Sequence, residues 1–169
     1  MEKKILYGND TTVENLLLPK HIMSRKGNDE YNFETKVIFN KYDSQGNVLE
    51  LQQENGIPIS YIWGYNKTQP IVKIENATNA QIASALGISF ISLNESHFTA
   101  INNLRNNTSF VNTMITTLTY IPLVGVSTIT DPKGQTTTYE YDSFGRLERV
   151  KDHQGNILSE NEYHYRTQN

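Results

Sequence analysis

The sequence predicts a mainly β fold, an antiparallel meander of β-hairpins with a short helical insertion. Turn signals of the form Asp-x-x-Gly recur at Asp131–Gly134, Asp142–Gly145 and Asp152–Gly155, so that their glycines are 11 and then 10 residues apart. Asp43–Gly46 is followed ten residues later by Gly56, which repeats this spacing earlier in the chain. Short strands separated by turn residues at such intervals are typical of a meander.

The turn residues have a structural explanation. Aspartate in the first position of a type I turn accepts hydrogen bonds from backbone N–H groups ahead of it, and glycine in the fourth accepts a positive φ. We therefore expect structural roles for Asp43, Gly46, Gly56, Asp131, Gly134, Asp142, Gly145, Asp152 and Gly155.

A carboxylate cluster is the alternative for three of these aspartates. Asp131, Asp142 and Asp152 together could bind a metal ion or perform acid–base chemistry. Successive turns of a meander lie at opposite sheet edges, however, so Asp142 should be apart from the other two. We expect each aspartate to complete its own turn.

Residues 1–31 are expected to be a polar lead-in with an edge strand. Residues 1–16 show little periodicity and are either an orphaned strand or disordered. The apolar run Leu16–Ser24 contains Pro19, which confines that run to a sheet edge or to the start of a strand.

Residues 32–75 are expected to form the first group of hairpins. Alternating apolar residues predict strands at Asn32–Lys41, Val48–Gln52, Ile57–Tyr65 and Ile71–Ile74. In the third of these, the residues Ile57, Ile59, Tyr61, Trp63 and Tyr65 would share one face.

This aromatic stripe is the best candidate for a binding surface. The rings of Tyr61, Trp63 and Tyr65 on a rigid sheet could stack on sugar rings. The alternative, which we favour, is that the helical insertion covers Trp63, with Phe98, Ile101 and Leu104 as the covering side chains. An open apolar stripe of this width would promote aggregation.

Residues 76–112 are expected to be the helical insertion. Thr78 and Asn79 can cap a helix that stops at Gly87. A second helix is predicted after Asn94 because Phe98, Ile101 and Leu104 are spaced three apart and make one helical face. Helices this short need to pack on a sheet in order to persist.

Residues 113–169 are expected to return to hairpins. The predicted strands are Met114–Tyr120, Leu123–Ile129 after Pro122, Gln135–Tyr141, Leu147–Lys151 and Ile157–Tyr165. Tyr163 and Tyr165 repeat the pairing of Tyr139 with Tyr141. Arg146 should pair with a cross-strand acid or stack on a tyrosine, and we do not expect it to bind phosphate.

Composition excludes several functional classes. A net charge of −3 provides no basic surface for nucleic acid, and no apolar run is long enough for membrane insertion. Without cysteine there are no disulfides and no thiolate nucleophiles or metal ligands. The four histidines lack metal-ligand spacing, and no catalytic or phosphate-binding motif is present. We therefore predict no enzyme activity, cofactor or metal site.

The Tyr-Asp-x-x-Gly-Arg-Leu string at Tyr141–Leu147, followed by Asp152–Asn156, resembles the YD repeat, also called the RHS repeat. Tyr42–Leu49 resembles a weaker copy that lacks the Arg-Leu pair. The resemblance covers roughly residues 32–74 and 113–165. The arrangement also resembles the C-terminal end of large YD-repeat proteins of Bacteroidetes-type bacteria.

This resemblance implies strips of β-hairpins that spiral into a hollow shell on exported or surface proteins. Some members of the family enclose a C-terminal toxin, but neither a self-cleaving aspartate segment nor a following domain is recognisable here. Because residues 1–7 lack the apolar core of a signal peptide, an exported protein would carry its signal upstream. The expected location is extracellular or at the cell surface.

The leading interpretation is a non-enzymatic structural or interaction module of such a shell protein. Its expected partners are neighbouring YD repeats of a longer chain or another copy of itself, because repeat arrays expose strand edges unless neighbours cover them. A carbohydrate-binding module that uses the aromatic face to bind glycans is the second hypothesis. An enzyme whose site is invisible in the sequence is the third.

Overall fold

A computed structural model describes residues 2–10, 13–26 and 32–164, which contain eleven β-strands and two short α-helices. The chain divides into two compact units, residues 1–115 and 116–169. Strands predominate and the helices lie together in one internal segment. The prediction of a mainly β, antiparallel fold with a helical insertion is therefore confirmed.

The described residues of the first unit form six strands that follow one another as a meander. They are β1 (Glu2–Asp10), β2 (Val13–Arg25), β3 (Glu34–Tyr42), β4 (Val48–Gln53), β5 (Pro58–Gly64) and β6 (Gln69–Glu75). Each strand is antiparallel to the next one along the chain. The turn spacing in the sequence thus corresponds to real strand reversals.

The N-terminal strands correct the prediction of an orphaned strand or disorder. β1 pairs with β2 from Glu2 opposite Arg25 to Asp10 opposite Val13. The residue pattern of this segment could not predict the pairing, because a strand is stabilised by its contacts with a partner strand and not by its own sequence alone. Pro19 lies opposite Tyr7 beside a register shift, an irregularity that accommodates a residue without an N–H. Met1, Thr11, Thr12 and residues 27–31 lie outside the described residues.

The helical segment lies between β6 and β7 and consists of α1 (Asn79–Leu86), α2 (Phe98–Asn103) and short 3₁₀ turns. Thr78 and Gln81 form a capping box, since the Thr78 hydroxyl accepts the Gln81 N–H while the Gln81 side chain accepts the Thr78 N–H. Gly87 ends α1 with φ +65°. The predicted start and stop of this helix are therefore correct.

The first unit has a hydrophobic core shared by strands and helices. Most of its buried apolar side chains come from β5, β6 and the helical segment: Ile59, Ile62, Ile71, Val72, Ile74, Ile82, Leu93, Ile101, Leu104 and Phe110. Burial of each side chain of this size stabilises the fold by roughly 1.5–3 kcal/mol relative to exposure. Packing of this kind explains why helices of eight and six residues persist.

The second unit is also a meander. Its strands are β7 (Met114–Ile121), which begins two residues before the unit boundary, β8 (Gly125–Thr130), β9 (Thr136–Tyr141), β10 (Leu147–Lys151) and β11 (Ile157–Glu160). Tyr141 lies opposite Leu147, so the arms of the predicted hairpin pair with each other. β11 ends at Glu160, which makes the predicted strand to Tyr165 too long; Tyr163 follows β11, and Tyr165 lies outside the described residues.

Burial differs sharply between the two units. Among the described residues of the second unit, Thr117 is the only buried one, and no apolar side chain is buried. Every residue of β8, β9 and β10 is half-buried, and all four residues of β11 are exposed. The described strands of this unit are thus a hairpin array without a buried apolar core of their own.

Candidate functional site

Four hairpin turns share one geometry, in which an aspartate side chain completes the turn. They are Asp43–Gly46, Asp131–Gly134, Asp142–Gly145 and Asp152–Gly155. In each, the glycine N–H donates to the aspartate carbonyl at 2.9 to 3.0 Å, and the glycine φ lies between +74° and +87°. The aspartate Oδ1 accepts the backbone N–H of the residue four positions later at 2.8 to 3.0 Å. This is the type I turn with a left-handed exit residue that hairpins use.

Gly56 occupies a related turn that lacks the aspartate. Its N–H donates to the Gln53 carbonyl at 2.9 Å, and its φ is +81°. The capping oxygen comes instead from Asn55, whose Oδ1 accepts the Ile57 N–H at 3.2 Å. The backbone shape is therefore kept while a different side chain supplies the acceptor.

The alternative of a carboxylate cluster has no support in this geometry. Asp131 lies between β8 and β9 and Asp152 between β10 and β11, whereas Asp142 lies between β9 and β10, at the opposite sheet edge. Within residues 2–10, 13–26 and 32–164, no group of three or more potential ligands is close enough to hold a metal ion. The structure does not bring the three aspartates together.

Asp43 differs from the other turn aspartates because it is buried, with 1% of its surface exposed. Its Oδ2 accepts the Asn47 side-chain amide at 3.1 Å and lies 3.8 Å from the Lys67 ammonium. The same Asn47 amide donates to the Lys67 carbonyl at 2.9 Å. Asp43 therefore joins its own hairpin turn to the turn between β5 and β6.

That second turn is unusual, and nothing in the sequence predicts it. Tyr65, Asn66 and Lys67 have φ values of +50°, +57° and +63°, three consecutive left-handed residues without a glycine. Such conformations cost of the order of 1–3 kcal/mol each and persist only when surrounding contacts fix them. Here the Tyr65 N–H donates to the Glu95 carboxylate, in addition to the contacts made through Asp43.

The aromatic stripe is shorter than predicted. Ile57 precedes β5, and Tyr65 follows it in the left-handed turn, so neither continues the strand alternation. Tyr61 and Trp63 remain within β5 and are half-buried. The Trp63 Nε1–H donates to the Val48 carbonyl at 2.8 Å, which uses the indole's single donor inside the sheet. The three rings Tyr61, Trp63 and Tyr65 therefore do not form one flat platform for sugar stacking.

The helical segment contacts the other face of β5. The Ser60 hydroxyl donates to the Ala77 carbonyl at 2.8 Å, and a Cβ placed on Gly64 would lie 2.7 Å from the Glu95 carboxyl group. Side chains alternate along a strand, so Ser60 and Gly64 face away from Trp63. The expectation that the helical segment covers Trp63 through Phe98, Ile101 and Leu104 is therefore corrected: Ile101 and Leu104 are buried with the core, whereas Trp63 is on the opposite face.

Arg146 pairs with an acid and stacks on a tyrosine, as expected, but the acid is not on a neighbouring strand. Its Nη2 lies 2.6 Å from Asp142 Oδ2, in its own turn and not across the strand. Its guanidinium lies 4.1 Å from the centre of the Tyr163 ring and 5.4 Å from that of Phe144. These contacts hold the residue after the turn against the segment that follows β11.

None of the helices in the described ranges is long and apolar enough to cross a bilayer. The remaining features of the described residues are structural: capped turns, a helical segment joined to β5, and an array of hairpins. Nothing in their geometry points to catalysis.

Comparison with known proteins agrees with this architecture. Residues 125–157 match the family model described as RHS Repeat, a stretch that runs from the start of β8 to the start of β11 and includes three of the aspartate-capped turns. No curated protein matches the chain. The matched stretch coincides with the hairpins whose turn geometry repeats, and the chain therefore carries a repeat of the RHS, or YD-repeat, family.

Proposed function

We propose that this chain is a structural module whose hairpin array continues the sheet of neighbouring RHS repeats. The observation that carries the proposal is the burial pattern of the second unit, in which no described apolar side chain is buried. Repeat arrays gain stability from nearest-neighbour interfaces, so an array without its own core depends on what covers it.

The strand β11 is the proposed point of continuation. It pairs with β10 through Arg149–Glu160, Val150–Ser159 and Lys151–Ile157, and its apolar side chains Ile157 and Leu158 are 53% and 62% exposed. A strand with an open edge and apolar side chains is a template for another strand. The neighbouring repeat would belong to a longer chain or to another copy of this one.

An exported or cell-surface location in bacteria completes the proposal. Its support is the family match alone, since proteins with such repeats are typically extracellular or surface-associated. Antibody labelling of intact cells that produce the native protein tests the location, and labelling only after lysis would contradict it.

The structural role can be tested by extending the array. A second copy of residues 131–160, joined after Glu160, would supply the next three strands in phase. We expect the outward amides of Ile157–Glu160 to exchange more slowly with deuterium and the melting temperature to rise. The matched control carries a Gly/Ser segment of equal length, which cannot pair and should leave exchange unchanged.

The same experiment distinguishes the two possible neighbours. If another copy normally covers β11, the unextended chain should self-associate in sedimentation velocity as its concentration rises, and the Ile157–Glu160 amides should become better protected over the same concentration range. Equal protection of β11 in the extended and control proteins at low concentration would contradict the proposal, because the edge would then need no neighbour.

A further inference from the structure

The strand β1 has an open edge in addition to that of β11. Among the described strands, β1 pairs only with β2, and β11 pairs only with β10. The residues of β1 from Glu2 to Tyr7 are all exposed, and Ile5 and Tyr7 are 47% and 55% exposed. An edge strand of this kind presents backbone N–H and C=O groups to which another strand can bind.

The exposed edge of β1 is basic. It carries Lys3 and Lys4, whereas the Glu2 carboxylate is paired with the Arg25 side chain of β2. The Lys4 ammonium already has a contact within the chain, since it lies 5.7 Å from the centre of the Phe33 ring. Lysine on an edge strand discourages pairing with neutral or basic strands, but an opposite carboxylate compensates its charge. β1 is therefore suited to an acidic partner strand.

The open edge of β11 carries such a carboxylate. Glu160 Oε1 accepts the Arg149 Nε–H at 2.7 Å, yet the Glu160 side chain remains 51% exposed. The Asn161 N–H donates to the Glu148 carbonyl at 2.8 Å, a bond that flanks the Arg149–Glu160 pair. In an antiparallel ladder this makes the pair a non-hydrogen-bonded one, so the N–H and C=O of Glu160 itself point away from β10, toward a further strand.

An apolar side chain shares the sheet face of Glu160. Glu160 is opposite Arg149 and Ile157 is opposite Lys151, and these two residues of β10 are two positions apart. Residues two apart on a strand lie on one face, so Ile157 and Glu160 also lie on one face of β11. A strand that pairs with β11 can therefore place a basic and an apolar residue, two positions apart, opposite the carboxylate and Ile157.

We propose that β11 of one copy pairs antiparallel with β1 of another copy, with Glu160 opposite Lys3 and Ile157 opposite Ile5. This inference rests on the proposed function and identifies the strand that continues the array. Lys3 and Ile5 are two positions apart, so they share a face of β1 and match the spacing across β11. Because β1 and β11 are different surfaces, the contact is heterologous, and a pair of copies still has one edge of each kind to which further copies can bind.

Charge variants of the full chain test the pairing in sedimentation velocity. Lys3→Glu and Glu160→Lys each place like charges across the contact and should weaken self-association roughly three- to tenfold. The double variant Lys3→Glu/Glu160→Lys restores opposite charges and should associate as the unchanged chain does. Lys133→Glu makes the same change of net charge in an exposed turn and should have no effect. An unchanged chain that stays monomeric at the highest attainable concentration, or a loss that the double variant does not reverse, would overturn the proposal.

Disulfide cross-linking tests the register, since the natural chain has no cysteine. Opposite residues of paired strands are close enough for a disulfide. A mixture of Lys3→Cys chains and Glu160→Cys chains should therefore form a mixed dimer on oxidation. Lys133→Cys in place of Lys3→Cys is the control with equal exposure and should form much less. Equal yields of the two mixed dimers would contradict the register.

Hydrogen exchange separates failure of this inference from failure of the proposed function. As the concentration of the unextended chain rises, the amides of Lys3–Tyr7 and of Ile157–Glu160 should become better protected together. Protection of Ile157–Glu160 alone would overturn the pairing with β1 but keep β11 as the point of continuation. Protection of neither segment would overturn this inference; if the extended chain also failed to protect β11, the proposed function would fall as well.

Discussion

Asp142 holds Arg146 at two points: its Oδ1 accepts the Arg146 backbone N–H at 3.0 Å, and its Oδ2 accepts the side-chain Nε–H at 2.8 Å. The hydrogen bond to the guanidinium lowers the pKa of Asp142 below its ordinary value of 3.8. The Asn156 side-chain amide lowers the pKa of Asp152 in the same way. These turns therefore depend on ionised carboxylates.

The first prediction concerns acid stability. Both carboxyls bind protons less readily in the folded chain than in the unfolded one, so their stabilising effect is complete above the ordinary pKa of 3.8. It is lost as the pH falls from that value through the lowered pKa values of the folded state. Melting temperatures measured by circular dichroism from pH 7 to pH 2 should fall in this window.

The Asp142→Asn variant is the control for this pH dependence. Its amide oxygen still accepts the backbone N–H groups of the turn but has no proton to bind. We expect a lower melting temperature at pH 7 and a smaller further loss on acidification. If the melting temperature of the variant fell with pH just as that of the unchanged protein does, Asp142 would not contribute to the loss of stability in acid.

The second prediction concerns Asp43, the buried turn aspartate. Its replacement in Asp43→Ala leaves the Asn47 and Gln45 N–H groups without their acceptor and removes the contact to Lys67. We expect a loss of about 2–3 kcal/mol in the free energy of unfolding, measured by urea titration. Asp131→Ala, in a turn of the same shape but more exposed, should cost about 1 kcal/mol or less. An equal loss of unfolding free energy in the two variants would mean that the burial of Asp43 does not add to stability.

The third prediction concerns Leu123, which is fully exposed and has φ +63° in the turn after Pro122. The Val124 N–H donates to the Ile121 carbonyl at 3.1 Å, so Leu123 occupies the position that favours glycine in a type II turn. Leu123→Gly should therefore stabilise the chain by up to about 1 kcal/mol, because no buried surface is lost. Val124→Gly, in the next position, should destabilise it; stabilisation by both changes would contradict the explanation.

The fourth prediction concerns Trp63. Trp63→Phe keeps an aromatic ring in β5 but removes the hydrogen bond to the Val48 carbonyl. We expect the free energy of unfolding to fall by about 1–2 kcal/mol, followed by circular dichroism because this is the only tryptophan. Tyr61→Phe, the neighbouring ring on the same face, should change it by less than about 0.5 kcal/mol. If Trp63→Phe left the free energy of unfolding unchanged, the hydrogen bond of the indole N–H to Val48 would be no better than one to water.

Local rules predicted the turns and helix ends because the residues that form them are adjacent in sequence. Aspartate and glycine three positions apart specify a turn wherever the strands beside them pair, and Thr78 to Gly87 carry both the start and the stop signals of α1. The RHS resemblance follows from these same residues and is matched over residues 125–157.

The candidate binding face could not be predicted in this way. Period-two alternation placed Tyr65 on the strand, but β5 ends at Gly64 because Glu95, 30 residues away, fixes a left-handed turn at Tyr65. The alternation of side chains along β5 also does not predict which of its two faces the helical segment covers. That choice depends on contacts such as those of Ser60 and Gly64, which are invisible in the local pattern.

The sequence by itself determined the strand reversals, the two helices and the family of the repeat, because short-range hydrogen bonds and backbone preferences encode them. Only the tertiary structure decided that the N-terminal residues pair, that Asp43 is buried, and that the described part of the second unit lacks a buried apolar core. Pairing and burial depend on residues distant in the chain, and their free energy is realised only when those distant segments meet.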